Sequence, residues 1–454
     1  MSAPTLGFYG ATETVTGSKF LLTSDRHRVL IDCGLFQGYK QIRQRNWQPL
    51  PFAAKHVDAC VLTHAHIDHS GALPLLTNQG FAGTIHATSG TAALCRILLP
   101  DAARLQEQDA EYANRKGFAR HSPALPLYDE HDAQRALERL EPHPFDREFA
   151  PAKGFTASFS RAGHILGAAS VHVQMGARSV LFSGDLGRPN DPLIRAPTPR
   201  RPSDYVVIES TYGNRRHDSE DPTDALARVI DRTIARGGSV IVPAFSVGRT
   251  QSLLLLLARL RESGRLAHVP IYLDSPMAIA ATELYREHRD THRLDARECE
   301  RMCAIAHYVR EVEDSKQLDR LDHPIILISA SGMATGGRVV HHLRRFLPDA
   351  RNTILLTGYQ AGGTRGAKLL AGTESLRIHG EWVAVHAEIA SLDMLSAHAD
   401  QDELVAWLRT SDHAPRKLFI VHGELEAAEH LRVRITDELG WECVVPEYRD
   451  EVGL

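Results

Sequence analysis

The sequence predicts an α/β fold whose strands converge on one edge, with a second α/β block inserted into the first domain. Three observations predict it. Short apolar runs repeatedly end in one ionisable residue beside Gly or Ser: Val29-Leu30-Ile31-Asp32 before Cys33-Gly34, Val180-Leu181-Phe182-Ser183-Gly184-Asp185, Val206-Val207-Ile208-Glu209-Ser210 and Phe419-Ile420-Val421-His422-Gly423. Open α/β sheets carry their sites at such strand ends. From about residue 206 to 370, apolar strands alternate with helices, the signature of parallel βαβ units. Chemistry-bearing strand ends lie on both sides of that block, so the block is read as an insertion: 1–205 and 371–454 form one domain and 206–370 the other.

The elements follow in order. Residues 1–205 alternate short strands with loops, and 89–140 read as polar helices with a break at Pro123 and Pro126. In the middle block come a strand at 239–243, a Leu-rich helix from Gly248 and a strand at 270–273. A strand at 325–329, a helix from Gly337 and a strand at 353–357 complete it. The last stretch returns to strands ending at His398 and His422. No repeat or low-complexity segment interrupts the chain.

Composition bounds the function. With 454 residues, 43% hydrophobic and 24% charged, the chain suits two or three globular domains with ample core. No N-terminal stretch pairs a charged start with an apolar segment long enough for export, and the most apolar run, 253–257, is far too short to span a bilayer. The six cysteines show no disulfide spacing, which fits a reducing cytoplasm. Cys299 and Cys303, four apart, can share a helix face as a metal pair or stand as idle buried thiols. The net charge of −4 argues against a protein that coats nucleic acid by bulk electrostatics. A local rim suffices for RNA: Arg195, Arg200, Arg201, Arg215 and Arg216 flank the Glu209 strand, as a solvated face or as RNA contacts.

The most informative stretch is His64-Ala65-His66-Ile67-Asp68-His69, four metal-capable side chains within six residues just after an apolar run. Imidazole and carboxylate suit zinc, and residues two apart in extended chain project to the same side. One loop can thus serve two metals, His64 and His66 facing one, Asp68 and His69 the other. Such a loop is short of ligands, so further donors should end other strands. Asp32, His164 in a Gly-flanked loop, Asp185, Glu209, His398 and His422 are the candidates.

Together these residues resemble the metallo-β-lactamase fold and its β-CASP branch of nucleases, which includes the pre-mRNA 3′-end cleavage endonuclease, RNase J and shorter prokaryotic relatives. The motifs run from Asp32 to His422. Ser18-Lys19-Phe20, Glu111-Tyr112-Ala113-Asn114, 243–250, Asp274-Ser275-Pro276-Met277 and 331–338 fit the shorter relatives as well. The resemblance implies an αββα sandwich with an inserted β-CASP domain carrying a parallel sheet, and an active site in the cleft between them. It implies two zinc ions per chain, the first on His64, His66 and His164, the second on Asp68, His69 and His422, with Asp185 bridging. The pair would hold a shared hydroxide that attacks an RNA phosphodiester and leaves a 5′ phosphate and a 3′ hydroxyl. Asp32 would orient a ligand histidine, Asp68 would also align the hydroxide, and His398, backed by Glu209, would serve the departing 3′ oxygen.

A histidine at the position of His422 accompanies RNA substrates in this branch. Two Gly-rich pieces read either as phosphate cradles or as a turn with a helix cap: Ser331-Gly332, and Gly336-Gly337 with Arg338. Ser396 is a further substrate-binding candidate and Arg249 and Arg365 are weaker phosphate candidates, whereas Lys368 is not counted. Length favours an endonuclease, with 5′-to-3′ exonuclease activity as a second capacity. The rival readings are a small (thio)ester hydrolase, a DNA nuclease of the same fold and a non-enzymatic RNA-processing scaffold. Homo-oligomerisation is left open.

Overall fold

The computed structural model describes residues 3–116, 123–266, 268–358, 360 and 362–454. It divides into two compact units, one of Met1–Arg216 with His398–Leu454, the other His217–Ala397. The sequence boundaries of 205/206 and 370/371 differ from these divisions for a topological reason. Tyr205–Glu209 is an interior strand of a sheet in the first unit, and Glu388–Ser391 closes the sheet of the second.

The first unit holds two seven-stranded sheets. In spatial order one contains Glu451–Gly453, Thr5–Phe8, Phe20–Ser24, His27–Ile31, Ala59–Val61, Thr84–Thr88 and Leu140–His143. The other contains Cys443–Val444, Lys417–Val421, Tyr205–Glu209, Arg178–Phe182, Ala169–Met175, Phe155–Arg161 and Glu148–Phe149. The core lies between them. Leu6, Phe8, Leu22, Val29 and Ile31 from the first sheet meet Phe159, Val171, Val173, Phe182, Val207 and Phe419 from the second. Alternation along each strand sends every second side chain inward, and burying one such Val, Leu or Phe contributes roughly 1.5–3 kcal/mol. Helices Ser89–Lys116 and Leu425–Leu439 pack on the outer faces of the first and second sheets, giving the αββα order. The expected helical stretch at 89–140 resolves into Ser89–Lys116, which continues through Pro100, and Glu130–Leu137, which is capped by Asp129.

Three parallel strands bring the chemistry to one edge. Val180–Phe182 runs in register beside Tyr205–Val207, and Tyr205–Glu209 beside Lys417–Val421. On the other sheet, Val29–Ile31 runs parallel to Ala59–Val61. Their carboxyl ends are Asp185, Glu209, His422, Asp32 and the loop entering His64.

In the second unit the order is His307–Tyr308, Ile271–Asp274, Ile326–Ser329, Val240–Pro243, Thr353–Leu356 and Glu388–Ser391, all parallel. Its three central strands are buried along their whole length, as strands covered on both faces must be. The helices expected from Gly248 and Gly337 are Arg249–Glu262 and Arg338–Phe346, each entered through a glycine with positive φ. Among the described residues no helix is long and apolar enough to cross a membrane.

Candidate metal centre

His64 leaves its strand end with no exposure, followed by His66, and the short helix Ile67–Ser70 then carries Asp68 and His69. Gly34 lets the segment after Asp32 press against this turn, because a Cβ there would overlap the Asp68 carbonyl. Gly184, with φ +57°, turns the chain so that Asp185 enters the site; a Cβ there would fall 2.8 Å from Thr63 Cβ. Asp32 and His422 themselves adopt left-handed backbone, φ +58° and +52°. Such a conformation costs a non-glycine residue on the order of 1 kcal/mol, which surrounding contacts must offset. The carbonyl of Ala11 accepts from His422 N at 2.7 Å, and Asp32 N donates to Val61 at 3.0 Å.

The side chains gather into two adjoining donor groups. In one, His66 Nδ1 lies 3.1 Å from His64 Nε2 and 3.2 Å from His164 Nε2, while Asp185 Oδ2 is 3.3 Å from His64 Nε2 and 3.6 Å from His164 Nε2. In the other, His69 Nε2 and His422 Nε2 are 3.0 Å apart, with Asp68 Oδ2 3.3 Å from His422 Nε2 and 3.8 Å from His69 Nε2. Within each group all ligand atoms lie within 4.8 Å of one another. Asp185 spans both, its Oδ1 lying 3.2 Å from His69 Nε2.

This arrangement fits bound cations. Ring nitrogens face one another at about 3 Å, and Asp185 Oδ1 is buried without a hydrogen-bond partner. Burial pushes His64 down to about 3 and His66 down to about 4, and lowers His164 strongly, so these imidazoles are neutral and able to ligate. Burial alone would raise Asp68 and Asp185. The surrounding imidazoles outweigh it, His422 foremost in each case, and hold both carboxylates below the usual range.

A second layer orients these donors. Asp32 Oδ2 is 2.8 Å from His69 Nδ1, leaving Nε2 directed at the other ligand atoms, and Asp32 also accepts from Thr63 N at 2.7 Å and Thr63 Oγ1 at 2.8 Å. Thr211 Oγ1, 3.1 Å from His422 Nδ1, does the same for His422. Behind the centre, His398 Nδ1 lies 3.1 and 3.2 Å from the two Glu209 oxygens and 4.0 Å from Asp185 Oδ2. Leu186 N donates to Glu209 Oε1 at 2.6 Å, and an isolated bridge between Gly187 and His398 fixes the loop. Burial opposes protonation of His398, but the Glu209 carboxylate outweighs it and raises this histidine above its ordinary value.

Three family profiles match the chain. The metallo-beta-lactamase superfamily profile matches residues 15–231. The Beta-Casp domain profile matches 250–369, and that of the Zn-dependent metallo-hydrolase RNA specificity domain matches 382–446. Ribonuclease TTHA0252 of Thermus thermophilus is 36% identical over 426 residues, 92% of this chain and 93% of that protein. The chain belongs to the β-CASP family of metallo-β-lactamase-fold hydrolases. Another β-CASP relative, the RNase J-like protein of Methanocaldococcus jannaschii, is 30% identical over 92% of both chains. Transcription termination factor FttA of Methanosarcina mazei is 28% identical over 95% of this chain and 68% of its own. A solved structure of a protein of unknown function from Enterococcus faecalis V583 covers 100% of both chains with a TM-score of 0.57 at 13% identity, a likeness of fold.

The remaining sequence candidates fall in the second unit or on the basic rim. Ser331, Gly332, Gly336, Gly337, Arg338, Arg249 and Ser396 belong to the second unit. There Arg338 is held by Asp274 at 2.6 Å and by the carbonyls of Val309 and Arg310, and Arg365 by those of Ala334, Thr335 and Arg377. Ser331 Oγ accepts from Thr335 N, and Gly332 packs against Phe245, so the turn reading accounts for these contacts. Arg249 is buried beside Gly358. Of the basic rim, Arg200 is buried on carbonyls of Leu408, Ser411 and His413, Arg201 pairs with Glu148 and Arg216 with Asp402. Cys299 and Cys303 are buried thiols, and among the described residues no metal-capable group includes them. Thr63 and Thr211 were missed as orienting groups; their signal is a hydroxyl one residue before His64 and two residues after Glu209.

Proposed function

We propose that this chain is a zinc-dependent ribonuclease that hydrolyses RNA phosphodiesters to 5′ phosphate and 3′ hydroxyl ends, cutting internally and with 5′-to-3′ exonuclease activity as a second capacity. The observation that carries it is the His398–Glu209 pair set beside Asp185: a small-thioester hydrolase expels a thiolate that leaves without a proton, whereas a phosphodiester has a departing alkoxide to protonate. The relatives named as a ribonuclease and as RNase J-like support RNA as the substrate, and six free cysteines suit a reducing cytoplasm.

In this reading His64, His66, His164 and Asp185 hold one zinc, and Asp68, His69, His422 and Asp185 the other. Zinc bound there supplies Lewis-acid polarisation of the phosphate and a water nucleophile at neutral pH. Asp32 keeps His69 in the tautomer that presents Nε2 and raises its basicity. Asp68 also accepts a proton-side hydrogen bond from the attacking water and aligns it. His398, with Nδ1 held by Glu209, gives its Nε2 proton to the departing 3′ oxygen.

His398→Ala is expected to keep normal zinc content and to lose RNA cleavage by 10²-fold or more, in the range general acid catalysis supplies. A fully active, fully loaded variant ends the catalytic assignment. The same assay on labelled RNA and DNA of one sequence, with 5′ triphosphate or monophosphate ends, decides substrate and direction: internal products regardless of the 5′ group mark an endonuclease.

A further inference from the structure

We propose that His86, Glu141 and His143 form a separate zinc site at the rim of the β sandwich, sharing no residue with the centre described above. The register fixes these three side chains together. Thr84–Thr88 and Leu140–His143 pair in parallel with His86 opposite Glu141 and Thr88 opposite His143, so residues 86, 141 and 143 project from one face. His86 Nδ1 lies 2.9 Å from His143 Nε2, and that nitrogen lies 3.5 Å from Glu141 Oε1; all three ligand atoms fall within 4.8 Å of one another. Around a tetrahedral zinc with bonds near 2.0–2.1 Å, neighbouring ligands stand about 3.3 Å apart, so one ion fits with little movement.

The surroundings match a ligating role. The His143 ring stacks on Phe149 at 4.0 Å and 14°, and His86 packs on the same phenyl at 5.1 Å, which holds both rings in place. Burial, reinforced by His143, pushes His86 down to about 4, and burial lowers His143, so both imidazoles offer lone pairs at neutral pH. The side chain of Glu141 is 56% exposed and that of His143 14%, which leaves an entry path and a coordination position for water. Two nitrogens and one carboxylate oxygen are a donor set suited to zinc rather than to magnesium or calcium.

The consequence is structural. Leu140–His143 and Glu148–Phe149 are the edge strands of the two sheets, and Phe149 belongs to the second. An ion here clasps one edge strand to its neighbour and, through the stacked phenyl, braces the other sheet. Edge strands are where a sandwich is most open to fraying and to mispairing.

Holoprotein dialysed against buffered micromolar free zinc is expected to take up one equivalent more than Glu141→Gln or His143→Gln, with RNA cleavage unchanged. Glu141→Gln alters an exposed side chain and leaves the core intact. Diffraction at the zinc absorption edge should place an anomalous peak between His86 and His143. His64→Ala protein should retain this equivalent, which separates the rim site from the centre behind the proposed ribonuclease. Equal uptake by wild type and both variants, with no peak at the rim, leaves a ring-to-ring hydrogen bond only and overturns the proposal.

Discussion

Asp32 touches no substrate in the proposed chemistry, yet three contacts converge on its carboxylate: the His69 ring, the Thr63 amide and the Thr63 hydroxyl. Replacing it leaves His69 free to rotate and to change tautomer. Asp32→Ala is therefore expected to lower zinc affinity about 10- to 100-fold, the usual cost of losing such an orienting partner. Zinc competition with a chromophoric chelator measures it, and unchanged affinity would show that packing alone holds His69. Asp32, Glu209 and His422 were legible in the sequence because each is an ionisable residue closing an apolar run. Thr63 and Thr211 were not, since a hydroxyl at a strand end has many ordinary roles and only its neighbour's geometry singles it out. Arg338 illustrates the converse: a cation in a Gly-rich loop suggests phosphate, but its guanidinium is engaged by Asp274 and two carbonyls.

At the scale of elements, the four strands and two helices of the second unit that the sequence marked start within one residue of the expected positions, because fully apolar runs and Gly punctuation mark parallel βαβ units; helices such as Pro276–Glu287 and Ala296–Ala304 carried no such mark. What tied them together was not readable. His342, on helix Arg338–Phe346, bridges Asp274 at 2.7 Å and Asp319 at 2.7 Å, with Ser315 and Arg338 also on Asp274. Burial opposes charge on His342, but the two carboxylates outweigh it and push it up to about 9, while Asp274 is held below its ordinary value. A raised imidazole stabilises the fold fully below its unfolded value near 6.5 and loses that contribution as pH climbs through about 9. The depressed carboxylate contributes above about 4 and loses it on acidification. Unfolding in denaturant should thus show stability falling by about 3 kcal/mol from pH 6.5 to above pH 9. His342→Gln should flatten that slope; an equally steep slope in the variant would assign it to other groups.

At the scale of the whole molecule, the candidate centre gathers five imidazoles and two carboxylates beneath the surface of one unit, an arrangement that gains most from a cation. Anything bound to the native state alone stabilises it, by about 4 kcal/mol at a thousandfold excess over Kd. Stripping metal with a chelator should accordingly lower the melting temperature and abolish RNA cleavage, and returning zinc should restore both. A melting curve indifferent to measured metal loss would mean the donors are held by packing alone. Residue types, the His-rich loop, the strand-end ionisable groups and the interrupted first domain were all readable in one dimension, since each is a local pattern. The resemblance implied that His69 meets His422, 353 positions apart, and His398 meets Glu209, 189 apart, but no local pattern gives the distances between them. Pairing register between distant parallel strands sets those distances, and register depends on side chains packed from both sheets at once.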